Sequence, residues 1–398
     1  MASERSVLFL VGAVQFVNIL DFMMVMPLGP DFAAALGIPV SAIGQVGGAY
    51  TAAAAVSGLL GAFVLDRFDR RTALAVSMAG LVIGTAVGGF ATGLGTLLAA
   101  RVLAGFFGGP ATSVAMSIVS DVVPPERRGQ AMGKVMGAFS VASVLGVPAG
   151  LELARISGWR TPFFAVAGLG LLINVATFFL LPSMRGHLTR SQAHPAFGDL
   201  FNRPVVRWSY VVTATVMMSG FLLIPNFSAY IQGNLQYPRE NLGILYLAGG
   251  AFSFVGLRLL GQLVDRHGPV RIAAVASVLL AGLVAFWFMA YDPAVPIIVL
   301  FVSFMLCMSG RNVSYNTLVS KVPLPHERAR FMSVQSAVQH FAAAAGAFVS
   351  AELLVANADG SLGGVERVAL LSIVLMLAAP LAMLAVTRRL AAAPALPA

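Results

Sequence analysis

The chain has 398 residues, 58% of them hydrophobic and only 10% charged, where an ordinary soluble domain carries roughly 25% charged residues. That composition excludes a soluble globular protein and points to lipid as the solvent. The net charge of +9 does not imply nucleic acid, because the basic residues sit in short clusters between apolar runs rather than in a patch with interleaved aromatics.

Met1 to Ser6 lead straight into an apolar run that continues past Asp21 to Pro27 with no small-residue cleavage pattern. The reading is a retained first span rather than a signal peptide. A membrane helix needs about 20 mainly apolar residues. Runs of that kind predict twelve spans, at about 7–28, 42–65, 72–91, 94–120, 131–154, 161–182, 206–229, 241–264, 270–290, 295–319, 331–352 and 366–387. Membrane strands are excluded, since the runs are too long and do not alternate. The single cysteine, Cys307, lies inside an apolar run, so no internal disulfide is possible and no metal site built on cysteines is expected.

Arginine and lysine give the orientation. With the N-terminus inside, eighteen basic residues fall in cytoplasmic loops, four in outer loops, and Arg101, Arg258 and Arg311 fall within spans. This bias predicts both termini in the cytoplasm. The longest polar stretch, 183–205, separates an N-terminal bundle, 1–182, from a C-terminal bundle, 206–389. Residues 390–398 read as a disordered tail.

The two halves repeat. Asp66-Arg67 matches Asp265-Arg266, Pro125-Glu126-Arg127-Arg128 matches Pro325-His326-Glu327-Arg328, and Glu152 matches Glu352, all at a separation close to half the chain. Parallel repeats of this kind place a solute path between halves near the midplane. The predicted fold is an all-α membrane protein with twelve transmembrane helices in two pseudo-symmetric six-helix bundles.

The segment from Ala62 through Asp66, Arg67, Arg70 and Arg71 resembles the G-x-x-x-D-R-x-G-R-R loop signature of the major facilitator superfamily. Gly261 to Gly268 resembles the start of a second copy. Ala62 and Asp69 stand in place of the two glycines of the first copy, and Pro269 and Val270 in place of the basic pair of the second. Arg101 with Gly105 is similar to the R-x-x-x-G motif of the twelve-span proton-linked efflux branch. Gly137 with Gly146, Pro148 and Gly150 looks like its span-five antiporter motif, in the form seen in arabinose-efflux-like permeases. The resemblance implies that Asp66, Arg67, Arg70, Arg71, Asp265 and Arg266 form a state-dependent cytoplasmic gate, with Asp121 and Glu327 as further partners. A plainer reading is that these arginines only hold the loops inside.

Charges within spans are the other candidates, because a membrane-embedded charge is costly and is kept for a reason. Asp21 and Arg101 each lie seven residues from an outer helix end, so they are expected to face each other at one depth. Burial disfavours the charged carboxylate and a nearby cation favours it, a competition that can tip as a cavity opens and closes. The pair is read as proton-coupling or substrate-binding, with a structural ion pair as the alternative. Arg258 and Arg311 are expected to be buried substrate contacts, although Arg258 is also within snorkelling reach of the interface. His340 is a candidate proton carrier, since imidazole titrates near neutral pH; a core histidine with one hydrogen bond is the alternative.

The expected function is export of a small drug-like or sugar-like solute by proton antiport in a bacterial inner membrane. The alternative is an organic-anion importer or exchanger using the cavity arginines. No catalytic, nucleotide or metal motif is present, so neither an enzyme nor a cofactor is expected. The expected partners are solute, protons and the bilayer, without nucleic acid, and the expected state is a monomer.

Overall fold

The computed structural model describes residues 4–124, 127–185, 198–324 and 327–392, and the side chains of Ala62, Phe63, Asp66, Asp199 and Ala329 lie outside the described residues. Much of the expected linker and most of the expected tail therefore fall outside them as well.

Among the described residues the chain forms long helices almost throughout. They are α1 Glu4–Val25, α2 Ile43–Val64, α3 Arg70–Gly89, α4 Leu94–Val122, α5 Arg128–Ser157, α6 Arg160–Leu180, α7 Pro204–Phe221, α8 Leu242–His267, α9 Pro269–Met289, α10 Ile297–Val319, α11 Arg328–Leu353 and α12 Val365–Ala391. Helices satisfy their own peptide groups, as lipid requires. Eleven of the twelve are long and apolar enough to cross a membrane. The exception is α11. Its 26 residues give about 39 Å at 1.5 Å per residue, enough to span, but Gln335, Gln339 and His340 lower its apolarity. Large apolar side chains such as Phe9, Ile83, Phe179, Val255 and Leu381 face outward, as lipid contact allows.

The helices pack into two compact units that are not contiguous in sequence. The first comprises Met1–Gln192, Pro225–Leu247 and Val355–Gly363; the second comprises Ala193–Ile224, Ala248–Leu354 and Gly364–Ala398. In the first, α1 packs on α4, α5 and α6, and α3 on α4 and α6. In the second, α7 packs on α10, α11 and α12, and α9 on α10 and α12. Each pairing reappears six helices later, the packing counterpart of the sequence repeat.

Close approach of α2 and α4 depends on Gly105. A Cβ there would sit 2.2 Å from the Tyr50 carbonyl oxygen and 2.9 Å from its carbonyl carbon. Helix α5 is interrupted by one π-type turn, Ala142–Gly146, just before Pro148. Proline supplies no N–H to the ladder, and a local widening accommodates the loss. Gly146 at this turn lets Leu20 of α1 approach, since a Cβ would lie 2.6 Å from Leu20 Cδ1.

The first unit also holds chain segments from far along the sequence. Arg239, before α8, makes a two-pronged contact with Asp31, with Nε at 2.7 Å from Oδ1 and Nη2 at 2.6 Å from Oδ2. Its Nη2 also donates to the Leu151 carbonyl of α5 at 3.2 Å. Two short strands, β1 Val355–Ala356 and β2 Leu362–Gly363, pair antiparallel, a small departure from the all-helical expectation. Asn234 both donates to the Leu362 carbonyl and accepts from its amide, at 2.8 and 2.9 Å.

Asp69 caps α3. It accepts from the Arg71 amide at 2.9 Å, the Met184 amide at 3.2 Å, Arg185 Nε at 3.2 Å and the Ser183 hydroxyl. Burial pushes this carboxyl up, but the donors Ser183, Met184, Arg71 and Arg185 outweigh it and hold it at about 2. The charged cap ties the start of α3 to the segment after α6.

Two outcomes follow from these contacts. Gly105→Ala is expected to lower stability by about 1–3 kcal/mol through overpacking, whereas Gly12→Ala, which meets nothing within 4 Å, is expected to be near neutral; thermal melts in detergent compare them. Because the folded Asp69 carboxyl lies below its unfolded value, its stabilisation is complete above about pH 4 and fades as pH falls toward 2. The stability difference between wild type and Asp69→Asn in thermal melts should therefore shrink over that window.

Candidate functional site

Helix α1 carries a polar stripe on an otherwise apolar rod. Gln15, Asn18 and Asp21 recur at three-residue spacing, and all three are buried. That spacing keeps them on one side of the helix, and the side faces protein.

Asp21 is the centre of the stripe. Its carboxylate is 0% exposed, and the Arg101 guanidinium of α4 is 1% exposed. Arg101 Nη1 lies 3.0 Å from both carboxylate oxygens, and Nη2 lies 3.5 Å from the Asp21 carbonyl. Thr85 of α3 donates its hydroxyl to Asp21 Oδ1 at 2.7 Å. The guanidinium also lies over the Tyr50 ring of α2, 4.6 Å from its centroid. Tyr50 donates to Asn18 Oδ1 at 2.7 Å, and Asn18 donates to the Gly108 carbonyl at 2.9 Å and to Thr112 Oγ1 at 2.7 Å. The network joins α1, α2, α3 and α4, and Arg101 Nε is its one buried nitrogen without a hydrogen-bond partner among the described residues.

Chemically this is a carboxylate with a strong cation on one side and a hydroxyl donor on the other, sealed from water. Removing one member of a buried pair strands the other charge, typically at a cost of about 3–5 kcal/mol.

The second unit contains a different arrangement. Arg311 of α10 is 0% exposed. Its Nη1 donates to Ser219 Oγ at 2.8 Å, and its Nη2 lies 3.3 Å from the Val216 carbonyl and 3.2 Å from Met308 Sδ. Among the described residues no carboxylate pairs with it, and its Nε is unpartnered. The Ser219 carbonyl in turn accepts from Ser372 Oγ of α12 at 2.7 Å.

Other candidates are placed less centrally. Arg258 is exposed, which corrects the expectation of a buried charge: it lies within the apolar run of α8, but the side chain is not enclosed by protein. His340 is half-buried, and its Nδ1 lies 2.8 Å from the Ser336 carbonyl one turn back, the arrangement of a helix-bonded histidine. Arg70 Nε reaches Asp121 at 3.3 Å. Arg67 is exposed, and Arg71 reaches the Leu181 carbonyl at 3.5 Å and lies over the Phe178 ring. Asp265 and Arg266 are exposed in the last turn of α8. Glu327 pairs with Arg203 and accepts from the Leu324 amide. The Asp66 side chain lies outside the described residues. Gly137 begins the irregular stretch of α5, Gly146 closes its π turn, Pro148 follows two residues later, and Gly150 faces Met24.

Three features escape a reading of the sequence. Asn18, Tyr50, Thr85 and Thr112 around the ion pair leave a faint signal, the polar spacing along α1. Asp69 stands where the family pattern has a glycine, whereas an aspartate directly before a helix is a preferred cap. The Asp31–Arg239 contact joins positions 208 apart and has no local signature.

The comparisons agree with this architecture. The Major Facilitator Superfamily model matches residues 11–347. The chain is 28% identical over 364 residues to the chloramphenicol resistance protein of Streptomyces lividans, covering 90% of this chain and 91% of that protein. It is 28% identical over 267 residues to the inner membrane transport protein YdhP of Escherichia coli K12, covering 66% and 68%. Among solved structures, a bacterial homologue of the human lysosomal transporter Spinster superimposes with a TM-score of 0.77 at 16% identity over 99% of this chain and 100% of that one. A D-xylose–proton symporter superimposes with a TM-score of 0.72 at 18% identity over 95% of each. The family match over most of the chain and the repeated helix packing make this protein a member of the Major Facilitator Superfamily, a multi-pass membrane transporter.

Proposed function

We propose that the protein exports a small organic solute in exchange for protons, by alternating access across a bacterial inner membrane with both chain ends in the cytoplasm, and that it works as a monomer. The observation that carries the reading is the sealed Asp21–Arg101 pair with Thr85 at 2.7 Å. In the shut arrangement Asp21 is engaged by Arg101 and Thr85. Opening to water separates their fates: Asp21 accepts a proton, and Arg101 is hydrated or faces solute. Asp21 takes its proton on the outer side as solute leaves, keeps it through the change of access, and gives it up on the cytoplasmic side, where the pair with Arg101 re-forms and solute binds. Energy stored in the proton gradient thereby drives the solute outward.

Several features support this. Gly146, Pro148 and Gly150 match the efflux-branch motif at a real break in α5. Arg70 at the start of α3 pairs with Asp121 in the last turn of α4, which supports a gating role for the first loop signature, Asp66, Arg67, Arg70 and Arg71, with Asp265 and Arg266 as its second copy. A relative aligned along 90% of this chain bears a name that denotes resistance to chloramphenicol, which makes that compound a rational first probe. A second reading, exchange of organic anions, is favoured by one observation, the carboxylate-free Arg311.

In everted vesicles, an imposed pH gradient should drive uptake of labelled chloramphenicol. Asp21→Asn should abolish that pH-driven uptake per folded transporter, with folded protein measured alongside because stranding Arg101 lowers stability. Unchanged uphill uptake in that variant removes Asp21 from coupling. Anion-driven exchange without a pH gradient supports the second reading instead.

A further inference from the structure

The two arginines sit in comparable places but face different partners. Asp21 lies eight residues before the short helix Gly29–Leu36 that follows α1, and Ser219 lies eight residues before the short helix Phe227–Gly233 that follows α7. Helices α1 and α7 pack on α4 and α10 respectively. Each of the two positions receives an arginine from that neighbour, Arg101 on Asp21 and Arg311 on Ser219. Arg311 stands about two turns further along its helix than Arg101, at 3.6 residues per turn, yet reaches the corresponding site. The repeat thus carries an acid in the first unit and a neutral hydroxyl in the second.

A guanidinium without water or a counter-charge is not held by neutral acceptors alone at small cost. Ser219, the Val216 carbonyl and Met308 orient Arg311 without neutralising it, and its Nε remains open. We propose that Arg311, oriented by Ser219, binds the anionic oxygen group of an organic solute, a carboxylate or similar oxyanion, which takes the part that Asp21 plays beside Arg101. The proposal rests on the second reading above, exchange of organic anions, and narrows that solute to one bearing such a group. Guanidinium suits this task because its fork of donors matches paired oxygens.

The test uses purified protein in detergent at fixed chloride, with sodium benzoate and benzamide as a pair differing in charge. Benzoate should raise the thermal midpoint saturably, and benzamide should not. Ser219→Asp supplies an internal counter-charge; it should raise the ligand-free midpoint and weaken the benzoate effect by about tenfold or more, as should Arg311→Gln. If Arg311→Gln does not fold, Ser219→Asp alone decides the matter. Undiminished benzoate protection in Ser219→Asp, equal protection by benzamide, or full reproduction of the shift by chloride alone overturns the proposal. The benzoate shift is read in detergent with no pH gradient, whereas proton coupling is read only from pH-driven uptake in vesicles, so a failure of proton coupling and a failure of this site give different results.

Discussion

Inside a bundle surrounded by lipid, a guanidinium cannot be left to solvent, and whatever neutralises it governs what the bundle can do. In the first unit the neutraliser is built in. Asp21 meets Arg101 with no exposure, Thr85 fixes one carboxylate oxygen, and Tyr50 covers the cation. Four helices converge on this pair, so its charge state is felt by all of them. The close packing that makes this possible depends on small residues: Gly105 admits the Tyr50 backbone, and without that approach the ring would not cover Arg101.

The second unit uses the same helix pairings with a different electrostatic content. Ser219 and Ser372 link α7, α10 and α12 through hydroxyls, and Arg311 contributes a charge with no internal counterpart among the described residues. The two units thus share their helix pairings while their polar contents differ.

Much of this was legible in the sequence because the constraints are local. Span length, the inside bias of arginine and the half-chain offset of matching loops follow from helix geometry and charge, and they are enough to give the fold. Equal depth from the outer ends placed Asp21 opposite Arg101. Depth is all that sequence position gives, however, and direction around the helix is a property of packing. Arg258 and Arg311 look alike as charges within apolar runs, yet one is exposed and the other is sealed. The partners Tyr50, Thr85 and Asn18 come from three helices and become neighbours only in the folded unit. Asp69 was hidden for another reason: judged against a family pattern it looked like a loss, while its capping chemistry needed only the neighbouring residues.

The interruption in α5 has a mechanical consequence. Beyond the π turn, the helix is gripped through the Leu151 carbonyl by Arg239, which is itself clasped by Asp31. Before the turn, nine residues of regular helix, Arg128–Met136, lead in from the loop. A rod with a soft joint in the middle and an anchor near one end bends at the joint before the anchor yields. Helix α5 is thus suited to flex against Leu20 of α1, one residue from Asp21, while its anchored portion stays still.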